Sequence, residues 1–210
     1  MSHLLHISAS PRGGRSASAS VARHFVAAYQ AAHPGDTVET LDLWTANLPE
    51  FDGDALDAKY AILSGQGHTP EQAAAWGAVV TVAEQFKAAD KFVFSLPMWN
   101  FGIPYKLKHW IDVIAQPGLT FSFSPETGYT GLVTGKPALA VYARGGAFGP
   151  GTGLEAYDAQ TTYLRQVLGF VGITGLHEIL VEPTVAGGPA GKETAVAAAN
   201  AQAEALAATF

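Results

Sequence analysis

Residues 8–18, Ser-Ala-Ser-Pro-Arg-Gly-Gly-Arg-Ser-Ala-Ser, concentrate hydroxyls, arginines and glycines in one short segment. An apolar run precedes the segment and a helical pattern follows it, so we expect it to connect a strand to a helix. Free N–H groups and partial positive charge at a helix N-terminus bind phosphate, and glycines let the backbone curve around an anion. We therefore predict a phosphate site whose hydroxyl donors are Ser10, Ser16 and Ser18. The alternative is that Ser16 or Ser18 only caps the helix, because serine is a preferred N-cap residue.

Other catalytic motifs do not match this segment. It has neither the Gly-Lys-Ser/Thr of NTPase P-loops nor the GxGxxG pattern of dinucleotide-binding folds. Residues 14–18, Gly-Arg-Ser-Ala-Ser, approach the nucleophile motif of hydrolases but lack its final glycine. A hydrolase that uses Ser16 is therefore an alternative hypothesis, and it predicts a colourless protein. The chain has no cysteine, which excludes a thiolate nucleophile and a disulfide framework.

A second segment, residues 96–104, places two large aromatic side chains and a methionine directly after another apolar run. Met98, Trp99 and Phe101 could line a flat, apolar ligand face, with Asn100 addressing its polar edge. Methionine packs adaptably against aromatic rings. The same side chains could instead pack as a hydrophobic staple on the following helix. The phosphate site predicted beside them favours a ring site.

A third segment, residues 143–153, is Ala-Arg-Gly-Gly-Ala-Phe-Gly-Pro-Gly-Thr-Gly. Gly145 and Gly146 leave room for a planar ligand against the backbone, and their N–H groups could donate to a ring carbonyl or nitrogen. Residues 149–153 lack the spacing of a dinucleotide-binding motif, and we predict a mobile loop that covers the site. A phosphate at one loop and a flat ring between two others indicate a flavin mononucleotide, FMN.

The elements that must position these loops alternate along the chain. Short apolar runs predict strands at residues 3–8, 91–96, 136–143 and 175–182, and residues 37–43 fit an edge strand. Helical periodicity covers residues 18–32, 70–89, 105–115, 157–171 and 190–208. The alternation predicts an α/β fold: a flavodoxin-like, doubly wound, five-stranded parallel sheet with helices on both faces. Ligands of such sheets bind beyond the carboxyl ends of the strands, where the three loops lie.

Two segments fall outside this alternation. Residues 44–61 are predicted to be a long connection between the second strand and the next helix. Residues 120–132 alternate apolar and polar side chains and then turn through Pro125 and Gly128, which predicts an inserted hairpin. The whole chain, residues 1–210, is predicted to form one domain.

Composition narrows the range of partners. The net charge of −6, from 12 Lys and Arg against 18 Asp and Glu, provides no basic stripe for nucleic acid. No apolar stretch approaches the length of about 20 residues that spans a bilayer, and the N-terminal residues do not resemble a signal peptide. We expect a cytoplasmic protein with no membrane partner. The seven histidines are scattered without a paired-histidine motif, so no metal site is expected.

Taken together, these segments resemble the FMN-dependent NADH-azoreductases, which belong to the flavodoxin-like quinone reductases. The resemblance rests on Ser10 with residues 16–18, on residues 97–104 (PMWNFGIP) and on residues 144–146 (RGG). It continues through residues 107–108, 118–121, 131–136 and 168–173, and so covers nearly the whole chain in the same order. It implies a homodimer with one FMN per subunit and an active site at the subunit interface.

The resemblance also assigns roles to individual residues. The FMN phosphate would be held by Ser10, Ser16, Ala17 and Ser18. The isoalloxazine ring would contact Pro97, Met98, Trp99, Asn100 and Phe101, and its pyrimidine edge would contact Ala143, Arg144, Gly145 and Gly146. The substrate pocket would be walled by Phe121 and Phe123 of the hairpin and by Phe170 of the other subunit. Phe170 also has the helical spacing of a core residue, and a core role is its alternative.

The implied activity is electron transfer from NADH or NADPH to quinones and azo compounds. In the implied ping-pong mechanism, a hydride passes to flavin N5 and the acceptor then replaces the nicotinamide, so no side-chain acid or base is required. Two residues depart from the family: Trp99 stands where Tyr is frequent, and Ala143 stands where Ser or Thr is frequent. Both departures leave the substrate range open. The leading alternative is a non-enzymatic electron carrier of the flavodoxin type, which needs only an exposed flavin edge.

Overall fold

Seven strands form a central parallel sheet and a separate hairpin in the computed structural model, which describes all 210 residues. The strands are β1 (His3–Ser8), β2 (Thr37–Asp42), β3 (Lys91–Pro97), β4 (Phe121–Ser124), β5 (Gly128–Gly131), β6 (Ala138–Ala143) and β7 (Leu176–Val181). The central sheet has five parallel strands in the order β2-β1-β3-β6-β7, and β4 pairs with β5 in an antiparallel hairpin. This arrangement confirms the predicted doubly wound sheet, its edge strand and the inserted hairpin.

Six α-helices cover both faces of the sheet. They are α1 (Ala17–Ala32), α2 (Gly53–Leu63), α3 (Pro70–Ala88), α4 (Tyr105–Ile114), α5 (Ala159–Val171) and α6 (Gly188–Ala207). Phe25 of α1 and Ala203 of α6 pack against Val93 and Leu139 on one face. On the other face, helices α3, α4 and α5 pack through side chains such as Trp110. Strand β6 is buried along its whole length because both of its faces are covered.

The direction of winding reverses between β1 and β3. From β1 the chain crosses to β2 at one edge, and it then returns to β3 on the other side of β1. Loops that leave adjacent strands in opposite directions open a crevice at the carboxyl ends, which is where ligands of such sheets bind. The fold therefore places the loops that follow β1, β3 and β6 side by side.

The predicted long connection over residues 44–61 was wrong in one respect, because it contains most of helix α2. Asp52 caps this helix, and its Oδ1 accepts a hydrogen bond of 3.2 Å from the backbone N of Ala55. Only Ala55 and Ala58 of α2 are buried. Two alanines produce too little hydrophobic contrast to mark a helical face in the sequence.

The other predicted boundaries differ from the observed ones by at most two residues. Strand β6 begins at Ala138 because Pro137 has no N–H to donate to the sheet. Helix α5 begins at Ala159, where the side chain of Asp158 accepts a hydrogen bond from the backbone N of Thr161. None of the helices combines the length and the apolar character needed to cross a lipid bilayer.

Candidate functional site

A cavity of about 600 Å³ opens at the carboxyl edge of the sheet, within the range of small-molecule sites. Four strand-end loops line it. The loop after β1 contributes Ser10, Pro11, Arg12, Arg15, Ser16 and Ala17; the loop after β3 contributes Pro97, Met98 and Trp99; the loop after β6 contributes Ala143 and Gly145. The segment after β7 contributes Thr184, Val185, Gly188, Pro189 and Lys192. The cavity therefore joins residues from all three predicted loops with a fourth loop that the sequence analysis did not identify.

The loop after β1 presents the N-terminus of α1 to this cavity. Ser16 is the N-cap residue, and its Oγ accepts from the backbone N of Ala19 at 3.3 Å and lies 3.2 Å from Oγ of Ser18. The side chains of Ser16 and Ser18 are buried, as is that of Ser10. The N–H groups of Ala17 and Ser18 lie in the same first helical turn. They do not bond to Ser16 and have no acceptor within the helix. Both interpretations of Ser16 are thus compatible, because it caps the helix and also lines the cavity.

Positive charge dominates the cavity. Arg12, Arg15 and Lys192 line it, whereas no Asp, Glu, His or Tyr does. None of these three cations forms an ion pair within the chain. Unpaired cations beside a helix N-terminus favour binding of an anion such as phosphate.

The loop after β3 makes a tight turn with an unusual backbone. Trp99 and Gly102 exchange two hydrogen bonds, of 3.0 and 2.9 Å, around Asn100 and Phe101. Both turn residues have positive φ, 48° at Asn100 and 70° at Phe101. A bulky residue such as phenylalanine rarely adopts this conformation, and such strain concentrates at functional sites. The turn places Met98 and Trp99 in the cavity wall and Asn100 and Phe101 at the tip, outside the lining.

Trp99 is held by other aromatic side chains. Its ring centroid lies 5.7 Å from that of Trp44 and 6.2 Å from that of Tyr105. The indole N–H of Trp44 donates to the backbone carbonyl of Ala9 at 3.1 Å. Trp44 follows β2 in the segment that was predicted to be a plain connection, so its supporting role was missed.

The loop after β6 exposes backbone to the cavity. Neither Gly145 nor Gly146 donates its N–H within the protein, and the carbonyl of Gly145 accepts from Val185 and Ala186 at 3.0 and 2.9 Å. A Cβ added at Gly145 would lie 3.5 Å from Val185, an ordinary contact distance. The glycine is therefore not required by packing within the chain, and its lack of a side chain enlarges the cavity.

The side chain of Arg144 lies behind this loop and away from the cavity. Its side chain is 0% exposed, and its guanidinium contacts Asp158 at 2.7 Å and Glu182 at 3.3 Å. Burial disfavours the charged form of Asp158, but hydrogen bonds from Thr161 and the charge of Arg144 outweigh it and hold the pKa of Asp158 below its ordinary value. The backbone N of Arg144 already donates to Val181. Of the residues assigned to the ring edge, the structure thus brings Ala143 and Gly145 to the cavity, whereas Arg144 and Gly146 do not line it.

Glu182 ties the end of β7 to the glycine-rich loop. Its carboxylate accepts from the backbone N of Phe148 and of Gly149, each at 2.9 Å, in addition to its contact with Arg144. These bonds fix the course of residues 145–149. Arg144 and Glu182 therefore shape the loop without touching the cavity.

The predicted substrate-pocket residues form a separate aromatic patch. The rings of Phe121 and Phe170 lie 4.6 Å apart, and Tyr129 contacts both Phe123 and Phe170 at 5.0 and 5.5 Å. Phe123 is 62% exposed and Tyr129 is 66% exposed, so the patch faces outward. Phe170 is 36% exposed, which does not fit a core role. None of these residues lines the cavity of the same chain.

A family model described as a flavodoxin-like fold matches residues 2–207, nearly the full length of the chain. The chain belongs to this flavodoxin-like family. An FMN-dependent NADH:quinone oxidoreductase of Nitratidesulfovibrio vulgaris is 53% identical to this chain over 212 residues. The alignment covers 100% of each protein. A protein of the same name from Desulfotalea psychrophila is 50% identical over 207 residues, which cover 99% of this chain and 97% of the relative.

Solved structures of the flavodoxin-like family agree with these relatives. An azoreductase from Bacillus anthracis str. Sterne superposes with a TM-score of 0.90 at 31% identity, covering both chains fully. An FMN-dependent NADH-azoreductase from Bacillus anthracis str. Ames Ancestor, solved in complex with FMN, has a TM-score of 0.87 at 29% identity, with 99% and 100% of the two chains covered. The family membership and the fold that the sequence motifs predicted are thereby confirmed.

Proposed function

We propose that this chain is an FMN-dependent oxidoreductase that transfers electrons from NAD(P)H to quinones and azo compounds. The observation that carries the proposal is the cavity at the strand ends, which is cationic at the α1 end and is lined by Met98, Trp99 and Gly145 elsewhere. The names of the relatives and of the structural neighbours support the same activity.

The residues at the α1 end fit the phosphate of FMN. Ser10 and Ser16 would donate hydroxyls, and Ala17 and Ser18 would donate the free backbone N–H groups of the first turn. Arg12 and its neighbouring cations would balance the charge of the phosphate. No carboxylate lines the cavity, so nothing there would repel a phosphate dianion.

The opposite walls fit the flavin ring. Met98 and Trp99 would contact it, and Gly145 and Gly146 have N–H groups without protein acceptors that would donate to its pyrimidine edge. When bound, FMN supplies the redox chemistry, accepting a hydride from a nicotinamide and passing two electrons to the acceptor. The carbonyl of Gly145 accepts hydrogen bonds from Val185 and Ala186, so backbone donors of this turn would stabilise negative charge without reorganising. Because no Asp, Glu, His or Tyr lines the cavity, protons would come from water.

We further propose that the protein is a cytoplasmic homodimer. The aromatic patch of Phe121, Phe123, Tyr129 and Phe170 is contiguous, and the side chains of Phe123 and Tyr129 are largely exposed, as is typical of an interaction surface. A second subunit would bury the patch and bring Phe170 to the substrate pocket of its partner. Analytical ultracentrifugation of the purified protein tests this arrangement, and a monomer at micromolar concentration would contradict it.

The central experiment is an anaerobic absorption spectrum of protein that has been incubated with FMN and separated from free ligand. We expect retained flavin bands that disappear on addition of NADH. After the nucleotide is removed by gel filtration, a quinone should restore the bands, as separate half-reactions require. Flavin that NADH cannot bleach would favour the electron carrier instead, and a folded protein that retains no flavin would contradict the proposal.

Ser16→Ala should weaken both α1 and the binding of FMN. Loss of the N-cap should lower the free energy of unfolding by about 1 kcal/mol. Loss of a hydroxyl donor to a charged phosphate should lower FMN affinity about tenfold. The matched control is Thr69→Ala, because Thr69 caps α3 in the same way and lies outside the cavity. Chemical denaturation and fluorescence titration measure the two effects, and equal FMN affinity in both variants would remove Ser16 from the phosphate site.

A further inference from the structure

Trp44 contacts two of the loops that form the cavity, although it does not line the cavity itself. Its indole N–H donates to the carbonyl of Ala9 at 3.1 Å, and its ring centroid lies 5.7 Å from that of Trp99. Ala9 immediately precedes Ser10 in the loop after β1, whereas Trp99 belongs to the wall that would contact the flavin ring. One side chain therefore connects the two ends of the proposed FMN site.

The turn after β2 holds Trp44 in this position. The carboxylate of Asp42 accepts a hydrogen bond from the backbone N of Trp44 at 3.0 Å, and the carbonyl of Asp42 accepts from the backbone N of Ala46 at 2.9 Å. The indole also packs edge-on against Tyr105, with ring centroids 5.4 Å apart. The side chain of Trp44 is half-buried among these neighbours, so it has little freedom to move away from either loop.

The carbonyl that Trp44 binds belongs to the peptide that leads into Ser10. The backbone N of Ala9 donates to the carbonyl of Ser95 in β3 at 2.9 Å, and no backbone N–H donates to the carbonyl of Ala9. Ala9 is 0% exposed and Ser10 is 3% exposed. A buried carbonyl without a donor is unfavourable, so loss of the indole N–H should let this peptide turn and change the direction of Ser10.

We propose that Trp44 is a positioning residue that couples binding of the FMN phosphate to binding of the flavin ring. A phosphate on the loop after β1 fixes the peptide between Ala9 and Ser10. This peptide holds the indole of Trp44, and the indole holds the ring of Trp99. The coupling is reciprocal, because each group then changes the affinity of the other by the same factor. The inference rests on the proposed function, since it concerns the cavity in which FMN would bind.

Fluorescence titration of the full-length apoprotein with riboflavin tests the coupling, because riboflavin has the flavin ring without the phosphate. Saturating inorganic phosphate should raise the riboflavin affinity of the parent chain about fivefold, at the lower end of the usual coupling between sites. Trp44→Phe keeps a ring against Trp99 but has no N–H, so phosphate should have no effect on this variant. Its riboflavin affinity without phosphate should equal that of the parent chain, whereas its FMN affinity should be about fivefold lower.

Trp44→Leu removes the ring as well as the N–H. Its riboflavin affinity should therefore fall about two- to tenfold even without phosphate, which corresponds to the loss of an aromatic contact. The matched control is Trp76→Phe, because Trp76 is also half-buried but lies on α3, outside the cavity. This control should leave both flavin affinities and the effect of phosphate unchanged.

Three outcomes would overturn the role of Trp44. Phosphate could leave the riboflavin affinity of the parent chain unchanged, or it could raise the affinity equally in the parent chain and in Trp44→Phe. Alternatively, Trp44→Phe could weaken FMN and riboflavin by the same factor, which would indicate a structural role alone. A folded parent chain that binds neither flavin would instead contradict the proposed function and this inference with it, so the two failures are distinguishable.

Discussion

Gly145→Val is expected to lower FMN affinity by about 10- to 100-fold while leaving the apoprotein folded. Gly145 lines the cavity, and a Cβ at this position meets only Val185, at 3.5 Å, so the protein itself tolerates the added atom. The two methyl groups of valine must instead occupy space that the flavin ring would use. Forcing methyl groups into a close-packed contact costs about 1–3 kcal/mol, a range that contains the about 1.4–2.8 kcal/mol of a 10- to 100-fold loss of affinity.

Equilibrium titration with FMN and thermal unfolding of the apoprotein together measure this prediction. Gly175→Val is the matched control, because Gly175 precedes β7 at the other end of the sheet and its added Cβ would meet only Pro137, at 3.9 Å. Both apoproteins should unfold within a few degrees of the parent chain, and only the first should lose FMN. Normal flavin content in Gly145→Val would exclude this glycine from the ring site.

Arg144→Met should destabilise the protein by about 3–5 kcal/mol at neutral pH, the usual effect of removing one partner from a buried ion pair. The variant leaves Asp158 and Glu182 without their cation, although their side chains are only 14% and 12% exposed. Glu182 also holds the backbone of Phe148 and Gly149, so the glycine-rich loop should lose its fixed course and FMN affinity should fall as well. Urea denaturation at several pH values measures the first effect.

The free energy of unfolding should depend on pH because the pKa of Asp158 is lowered in the folded protein. A carboxyl group whose pKa is lower in the folded protein stabilises the fold above its unfolded pKa of about 3.9, and this contribution is lost as the pH falls through the folded pKa. In Arg144→Met the carboxyl lacks the cation, so the deficit in the free energy of unfolding relative to the parent chain should be largest at neutral pH. It should shrink in acid, where protonation removes the buried charge. A deficit that stays constant with pH would indicate lost packing alone.

Arg165→Met is the control for the loss of stability expected in Arg144→Met. Arg165 lies on α5 and contacts Glu178 at 2.6 Å, but its side chain is 57% exposed. Exposed ion pairs contribute about 0–1 kcal/mol, so this variant should be nearly as stable as the parent chain. A loss in Arg165→Met as large as that in Arg144→Met would mean that burial does not explain the expected difference.

The sheet and three of the four loops of the site could be predicted because buried parallel strands are short apolar runs that polar loops interrupt. The position of Arg144 could not be predicted in the same way. Its neighbours in sequence line the cavity, but its side chain turns to Asp158 and Glu182, which are distant along the chain. Only packing in three dimensions shows on which side of a loop a long side chain lies.

The fourth loop was missed for a different reason. Thr184, Val185 and Lys192 follow the last strand in a segment that lacks clustered serines, and its paired glycines, Gly187 and Gly188, were not used as a signal of a ligand loop. The strand-end rule itself could have found them, because it applies to every parallel strand and not only to those with a recognisable motif. Lys192 is separated from the phosphate loop by most of the chain, and α6 brings it there by packing against α1.

The turn from Trp99 to Gly102 has a consequence for how this protein can evolve. Phe101 has a φ of 70°, which glycine adopts freely and phenylalanine does not. A lineage selected only for resistance to heat would be drawn towards glycine at this position. A lineage that needs the aromatic ring at the tip of the turn keeps phenylalanine and its strained backbone. The residue at this position therefore indicates whether selection for stability or selection for the ring was the stronger.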